Sequence, residues 1–256
     1  MSLRIGRDEP VLFASDMHLS AHAPRTAERF LRALDGHGGS AAHLFLLGDL
    51  FELWVGDDTP DPVADVLAAR LAALSAGGVR VWLMRGNRDF LLGIPMTGGR
   101  TPRFDVRCGA TLLPDPYPLD LHGEAALLAH GDALCTDDAV YQAWRHTCRD
   151  PAWQQAFLAR PLAQRQAMGR AIRDDSEAGR RERTDALTDV NADTVDRVMA
   201  EAGVGLLIHG HTHRPADHRW RAGGCERRRV VLTDWDDAAG RGTLLRWEGG
   251  AARPLV

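Results

Sequence analysis

The sequence predicts an α/β fold, and three observations predict it. Five short apolar runs recur along the chain, at 11–15, 43–47, 79–84, 125–129 and 204–208. Runs of this length, bounded by Gly and polar residues, read as buried strands. Helix-compatible stretches at 26–34 and 62–76 separate the first three, which is the alternation of βαβ units. Each run also ends in Asp, Asn or His: Asp16, then Gly48-Asp49, Gly86-Asn87, His130-Gly131-Asp132 and His209-Gly210-His211. In α/β sheets ligands collect outside the carboxyl ends of the strands.

The remaining elements follow in order. Residues 136–199 carry many Arg and Ala and little strand character. Helices are expected at 139–146, 151–159 and 161–174, with Pro151 and Pro161 in first turns. This stretch reads as a helical insertion, a cap, between the fourth and fifth strands of a single domain spanning 1–256. Residues 209–214, 229–234 and 242–247 are expected to be strands of a second sheet.

The chain has 256 residues, 45% hydrophobic and 26% charged, enough to bury one large core or one core with an inserted subdomain. A net charge of −4 argues against an electrostatically driven nucleic-acid partner. No apolar run approaches the roughly 18–20 residues of a membrane-spanning helix, and the N-terminus lacks a signal-peptide pattern, so a cytoplasmic location is expected. All 31 basic residues are arginines, which excludes Schiff-base and P-loop lysine mechanisms. The four cysteines form no CxxC and read as reduced packing thiols. Nothing points to an obligate protein partner.

The chemistry sits in Asp16-x-His18, Gly48-Asp49, Gly86-Asn87-Arg88-Asp89, His130-Gly131-Asp132 and Gly210-His211-Thr212-His213. Taken singly, the first four do not stand out from ordinary turns and caps, while Gly210-His211-Thr212-His213 reads equally as a turn or as a metal site. Together, at successive strand ends, they offer carboxylate and amide oxygen and imidazole nitrogen without thiolate. That donor set suits Mn²⁺, Fe²⁺ or Mg²⁺ better than a structural zinc site. A hydrolase with two metals about 3.5–4 Å apart needs a bridging carboxylate. Asp49 is assigned the bridge, because Gly48 leaves room for close approach. Such a pair lowers the pKa of a bound water from about 15.7 to about 7 and polarises a phosphoryl oxygen.

This ordered set resembles the calcineurin-like metallophosphoesterases, over residues 15–213. The resemblance implies a double-sheet sandwich flanked by helices, with a dinuclear centre at the strand ends. Carried over motif by motif, one ion takes Asp16, His18, Asp49 and His213, and the other takes Asp49, Asn87, His130 and His211. His209 falls outside the usual pair and reads as structural. Most members have His after the Gly-Asn of the third block, whereas this chain has Arg88. A guanidinium does not give up a proton at neutral pH, but it holds phosphate oxygens in a fork. Arg88 therefore suits a phosphate leaving group from a diphosphate better than an unactivated alkoxide.

Longer strings, at 48–58, 86–90, 130–138, 189–191 and 207–215, resemble the branch of the family that hydrolyses UDP-2,3-diacylglucosamine. That resemblance implies two Mn²⁺ ions and attack at the uridine-side phosphorus, giving UMP and 2,3-diacylglucosamine 1-phosphate in lipid A biosynthesis. It also implies peripheral contact with the cytoplasmic face of the bacterial inner membrane. The implied catalytic residues are Asn87, Arg88 and His130. Implied substrate contacts are Asn87, Arg88, Asp138, Ser176, Arg180, Arg183 and His211. Arg180 and Arg183 stand where that branch usually has Asn and Lys.

Residues 141–183 hold nine arginines against five acids. With Trp144, Trp153, Phe157, Leu158 and Leu162 they fit either an apolar face with a basic rim for an anionic lipid, or a solvated helical face over a core of its own. Asp57-Asp58 reads as a solvent-facing turn. Two other readings stay open. One is a soluble phosphodiesterase or dinucleoside polyphosphate hydrolase on the same site. The other is a metal-binding scaffold without catalysis.

Overall fold

The apolar runs are continuous because each alternates between two buried layers. In β2 (Val11–Ala14), Val11 and Phe13 face one layer while Leu12 and Ala14 face another. In β3 (His43–Leu47), Phe45 and Leu47 share the first layer, and Leu44 and Leu46 the second. A strand covered on both faces needs no polar alternation. The computed structural model describes residues 3–96, 101–182 and 188–255, with only the backbone of 176–182.

Two six-stranded sheets face each other. The first runs β12-β11-β2-β3-β4-β5, with β4 at Arg80–Met84, β5 at Thr111–Leu112, β11 at Leu244–Glu248 and β12 at Ala251–Leu255. Its strands β2 to β5 are parallel, and β11 joins β2 antiparallel. The second runs β1-β6-β7-β8-β10-β9. Here β1 is Leu3–Ile5, β6 Tyr117–Leu121, β7 Glu124–Leu128, β8 Leu206–His209, β9 Ala216–Ala222 and β10 Cys225–Val231. Its three central strands β7, β8 and β10 are parallel. Phe13, Phe45, Leu128, Ile208 and Trp247 fill the space between the sheets.

Helices α1 (Pro24–His37) and α2 (Pro62–Ala76) make the crossovers β2–α1–β3–α2–β4 and cover the outer face of the first sheet. Asp61 starts α2 by accepting from the backbone N–H groups of Val63 and Ala64. A short α3 (Phe104–Arg107) precedes β5. Then come α4 (Ala139–Arg149), α5 (Pro151–Leu158) and α6 (Leu162–Glu182). Helix α7 (Ala192–Ala202) packs Val195 and Met199 on Leu127 and Leu207, the outer face of the second sheet.

Four expectations change. The five chemistry-bearing strands do not share a sheet: β2, β3 and β4 belong to the first, β7 and β8 to the second. The late strands form no sheet of their own, because β10 extends the second sheet beside β8 and β11 extends the first beside β2. Of the expected strand 209–214 only His209 is in a strand, the end of β8, since positive φ at His211 and His213 turns the backbone beyond it. The helical segment also has no private core. Phe157 and Leu158 are buried in the same cluster as Leu50, Phe51 and Trp54, and Trp144, Trp153 and Leu162 pack against it, so this apolar face points inward.

Candidate metal centre

The carboxyl ends of β2, β3 and β4 in one sheet converge with those of β7 and β8 in the other. The turns that leave these strands are unusual. Among the described residues six non-glycines have left-handed φ: Asp16 (54°), His18 (47°), Asp49 (53°), His122 (59°), His211 (66°) and His213 (55°). Five of the six are candidate ligands. Such backbone costs roughly 1–2 kcal/mol per residue, and its concentration here marks a site that the fold holds under strain. Gly48 (φ 90°) is required for the same reason, since a Cβ there would stand 2.6 Å from His130 Nδ1.

The side chains gather in two groups. In the first, Asp16 Oδ1 lies 3.4 Å from His213 Nε2 and 4.0 Å from His18 Nε2, and the two Nε2 atoms are 3.3 Å apart. In the second, Asn87 Oδ1 lies 3.0 Å from His130 Nε2 and 2.8 Å from His211 Nδ1. Asp49 stands between them, with Oδ1 3.6 Å from His130 Nε2 and Oδ2 3.8 Å from His18 Nε2. One carboxylate thus faces both groups, as a bridge requires. Asp16, Asp49 and His130 are buried.

These residues fit a pair of divalent cations. Asp16 Oδ1 is fully buried with no hydrogen-bond partner. Its Oδ2 accepts from the His211 N–H, which leaves Oδ1 aimed at the two imidazoles. Two ring nitrogens facing each other at 3.3 Å present at most one proton between two lone pairs. Burial opposes charge on His130, but Asp49 and Asp16, then Asp132 and Asp115, raise it to about 9. Burial and the neighbouring His130 lower His211 to about 3. The carboxylates thus create a demand for positive charge at this spot.

A second ring of contacts orients the ligands, as is usual around metal-binding histidines. His130 Nδ1–H donates to the Leu47 carbonyl (2.9 Å), which turns Nε2 toward Asn87 and Asp49. His18 Nδ1 lies 2.9 Å from Glu52 Oε2, and His213 Nδ1 lies 3.6 Å from Asp234 Oδ2. Asp234 is held in turn by Arg241. Asp89 accepts from the backbone N–H groups of Leu50, Gly86 and Asp49, pinning two ligand turns together. None of these contacts was anticipated, although Asp234 carries the same signal as the five blocks, an acid closing the apolar run Val230–Leu232. His209 stays outside, with Nδ1 2.8 Å from the Gly210 carbonyl and Nε2 3.3 Å from Arg229.

Above the groups, a narrow, mainly apolar cleft separates the strand ends from the helices. Leu53, Trp54, Phe90, Tyr141, Trp144, Phe157 and Ile172 line it, and Asn87, Arg88, Glu52 and Arg173 border it. Among the described residues no carboxylate forms an ion pair with the Arg88 guanidinium, while its backbone N–H donates to Asp49 Oδ1 (2.8 Å). Asp138 accepts from the Tyr141 N–H, capping α4, and does not line the cleft. The side chains of Ser176 and Arg180, and Arg183 altogether, lie outside the described residues. Asp58 is no solvent-facing turn residue: it binds Arg165 through two bonds of 2.9 and 2.5 Å. Arg145, Arg149 and Arg165 also turn inward, so the basic rim is smaller than the composition suggests.

A model of the calcineurin-like phosphoesterase family matches residues 9–215. The chain belongs to the calcineurin-like phosphoesterases. Within this family of hydrolases it resembles a Stenotrophomonas maltophilia (strain K279a) protein named UDP-2,3-diacylglucosamine hydrolase. Identity to that protein is 46% over 246 residues, covering 93% of this chain and 95% of the relative. Proteins of the same name from Aromatoleum aromaticum (45%, 93% of each chain) and Hahella chejuensis (45%, 89% of this chain and 90% of the relative) are similarly related.

Proposed function

We propose that this phosphoesterase hydrolyses the diphosphate of UDP-2,3-diacylglucosamine to UMP and 2,3-diacylglucosamine 1-phosphate, with two Mn²⁺ ions held by Asp16, His18, Asp49, Asn87, His130, His211 and His213. The observation that carries the lipid reading is the apolar cleft opening beside Asn87 and Arg88. A soluble dinucleotide has no use for a wall of Leu53, Phe90, Trp144 and Phe157, whereas acyl chains do. The relatives' names agree with this substrate. Because the substrate is a membrane lipid, the proposal includes peripheral contact with the cytoplasmic face of the inner membrane. No helix among the described residues is long and apolar enough to cross a membrane.

When bound, such a pair of ions supplies water activation and Lewis-acid charge at neutral pH. The chain's own residues do the rest. Arg88 forks onto non-bridging phosphoryl oxygens and offsets the charge that builds there. Asn87 and His211 border the same phosphate. The departing sugar 1-phosphate is already an anion, so no proton donor is required, and an arginine can stand where many relatives have histidine. The Leu47 carbonyl holds His130 in one tautomer. Asp138, Ser176, Arg180 and Arg183 are the proposed contacts to the sugar and its surroundings.

Turnover of UDP-2,3-diacylglucosamine in heavy-oxygen water tests this reading. The label is expected in UMP alone. Label in the sugar phosphate would reverse the attacked phosphorus, and faster cleavage of bis-nucleoside or nitrophenyl diesters would replace the substrate.

A further inference from the structure

We infer that helix α4 positions the Asn87–His130–His211 half of the metal centre through Tyr141, Arg145 and Asp132, so that cation binding there and docking of α4 strengthen each other. This rests on the two-ion site proposed above, not on the lipid.

The four ligand histidines are not supported alike. His18 and His213 each have a carboxylate behind the ring, Glu52 and Asp234. His130 has the Leu47 carbonyl. Among the described residues His211 has no such partner. Its Nδ1 faces Asn87, which is itself a candidate ligand. What lies against the His211 ring is the ring of Tyr141, with centroids 6.0 Å apart and planes inclined by 29°. The His130 ring meets it edge-on at 5.1 Å.

Tyr141 is held in turn. Its hydroxyl donates to Asp132 Oδ2 (2.7 Å), and Arg145 Nε donates to the same oxygen (2.9 Å). Asp132 is fully buried and sits two residues after His130, on the same turn. Arg145 also lies 3.7 Å from Asp115, whose Oδ1 accepts from the His130 N–H. Arg149 donates to the Gly86 carbonyl (2.9 Å), next to Asn87. Residues 141, 145 and 149 are spaced by four and share one face of the helix. That face therefore meets the turns carrying Asn87 and His130 and the ring of His211, and among the described residues it makes no hydrogen bond, ion pair or ring contact with His18 or His213. Tyr141 also lines the cleft, so the same side chain meets the substrate space and a ligand.

The physical consequence is linkage. A ligand imidazole free to rotate loses entropy when a cation captures it, and a ring already stacked loses less. If docked α4 favours cation binding in this half, bound cation must favour docked α4 by the same factor. His18 and His213 have carboxylates of their own behind the rings, and Asp16 meets this half through the His211 backbone N–H rather than through the ring that Tyr141 stacks on.

The test is a Mn²⁺ titration followed by electron paramagnetic resonance, with hydrogen exchange of residues 139–149 as a second measurement. Wild type is expected to bind two Mn²⁺, with exchange in α4 slowed by one of them. Tyr141→Phe keeps the ring and loses the hydroxyl, so one of the two affinities should fall, by up to about tenfold. Tyr141→Leu loses both contacts, and the same affinity should fall about ten- to a hundredfold, the range for partners behind a metal ligand. The other affinity should stay unchanged and α4 should lose its metal-dependent protection. Two unaltered affinities in Tyr141→Leu, or two that fall together, overturn the positioning role. Fewer than two ions in wild type overturns the two-ion site itself.

Discussion

The strand-end turns and the helices above them are held by different means. In the turns the backbone does the placing. Asp16, His18, Asp49, His211 and His213 all sit in left-handed conformation, and Asp89 ties the turns after β3 and β4 together through three N–H groups. The helices α4 to α6 are instead fastened by a few long side chains reaching down. Arg165, 2% exposed, binds Asp58 and the Val55 carbonyl, while Tyr141 and Arg145 bind Asp132. Between the two regions lies the cleft. The ligand turns are thus set by local backbone, whereas the cleft above them is set by packing between segments that are distant in the sequence, as Arg165 and Asp58 are.

The separation breaks first at Asp49, the one side chain shared by both ligand groups. Asp49→Ala is expected to give the largest effect, with both ions lost and turnover at background. Metal analysis of the purified variant checks this, and two retained ions would remove Asp49 as the bridge. Next comes Arg88→Ala, which removes the phosphate fork and nothing that holds a cation. Turnover should fall about 10²–10³-fold, the loss of one strong charge-stabilising donor. Metal content should stay at two, and an unchanged rate would make Arg88 a bystander.

This contrast also explains what the sequence revealed. Apolar runs ended by Asp, Asn and His were legible because a strand and its terminal turn are local, and β3 and α2 have the expected bounds to the residue. The pairing of strands was not legible, because nothing within 225–231 or 244–248 states which neighbour each will join. Glu52 and Asp234 were missed for a related reason. Each matters through a histidine, and only folding places Asp234 behind His213. In the helices the composition alone presents the arginines as a rim. Their real partners, Asp58 and Asp132, lie outside the segments that carry them.

A smaller effect separates the helices from the turns directly. Asp58→Ala leaves Arg165 buried without its carboxylate. Losing one partner of a buried pair costs about 3–5 kcal/mol, and Asp58, with 30% of its side chain exposed, belongs at the low end. The melting temperature should drop and KM for the lipid nucleotide should rise, with both ions retained. Loss of metal together with the helix contacts would show that the two regions are one unit. A Cβ on Gly56 would stand 2.5 Å from the Arg165 guanidinium, so Gly56→Val predicts the same phenotype.

The smallest expected effect is a silent one, at the four cysteines. Burial pushes the thiols of Cys108 and Cys135 up to about 12 and that of Cys148 up to about 11. Thiolate is the reactive form, so these three stay protonated and unreactive at neutral pH. Cys225, at the start of β10, is exposed. A maleimide at pH 7 should therefore label one thiol per folded chain and all four after denaturation. Turnover should not change, because β10 carries none of the candidate ligands. Cys148 makes the experiment informative, since it lies in α4 and is buried in the core that the helices share with the first sheet. Rapid labelling of Cys148 in Asp58→Ala, with Cys108 still protected, would show the helices loosening while the core beneath them stays closed. Equal exposure of both would mean that the helical segment and the strand ends unfold together.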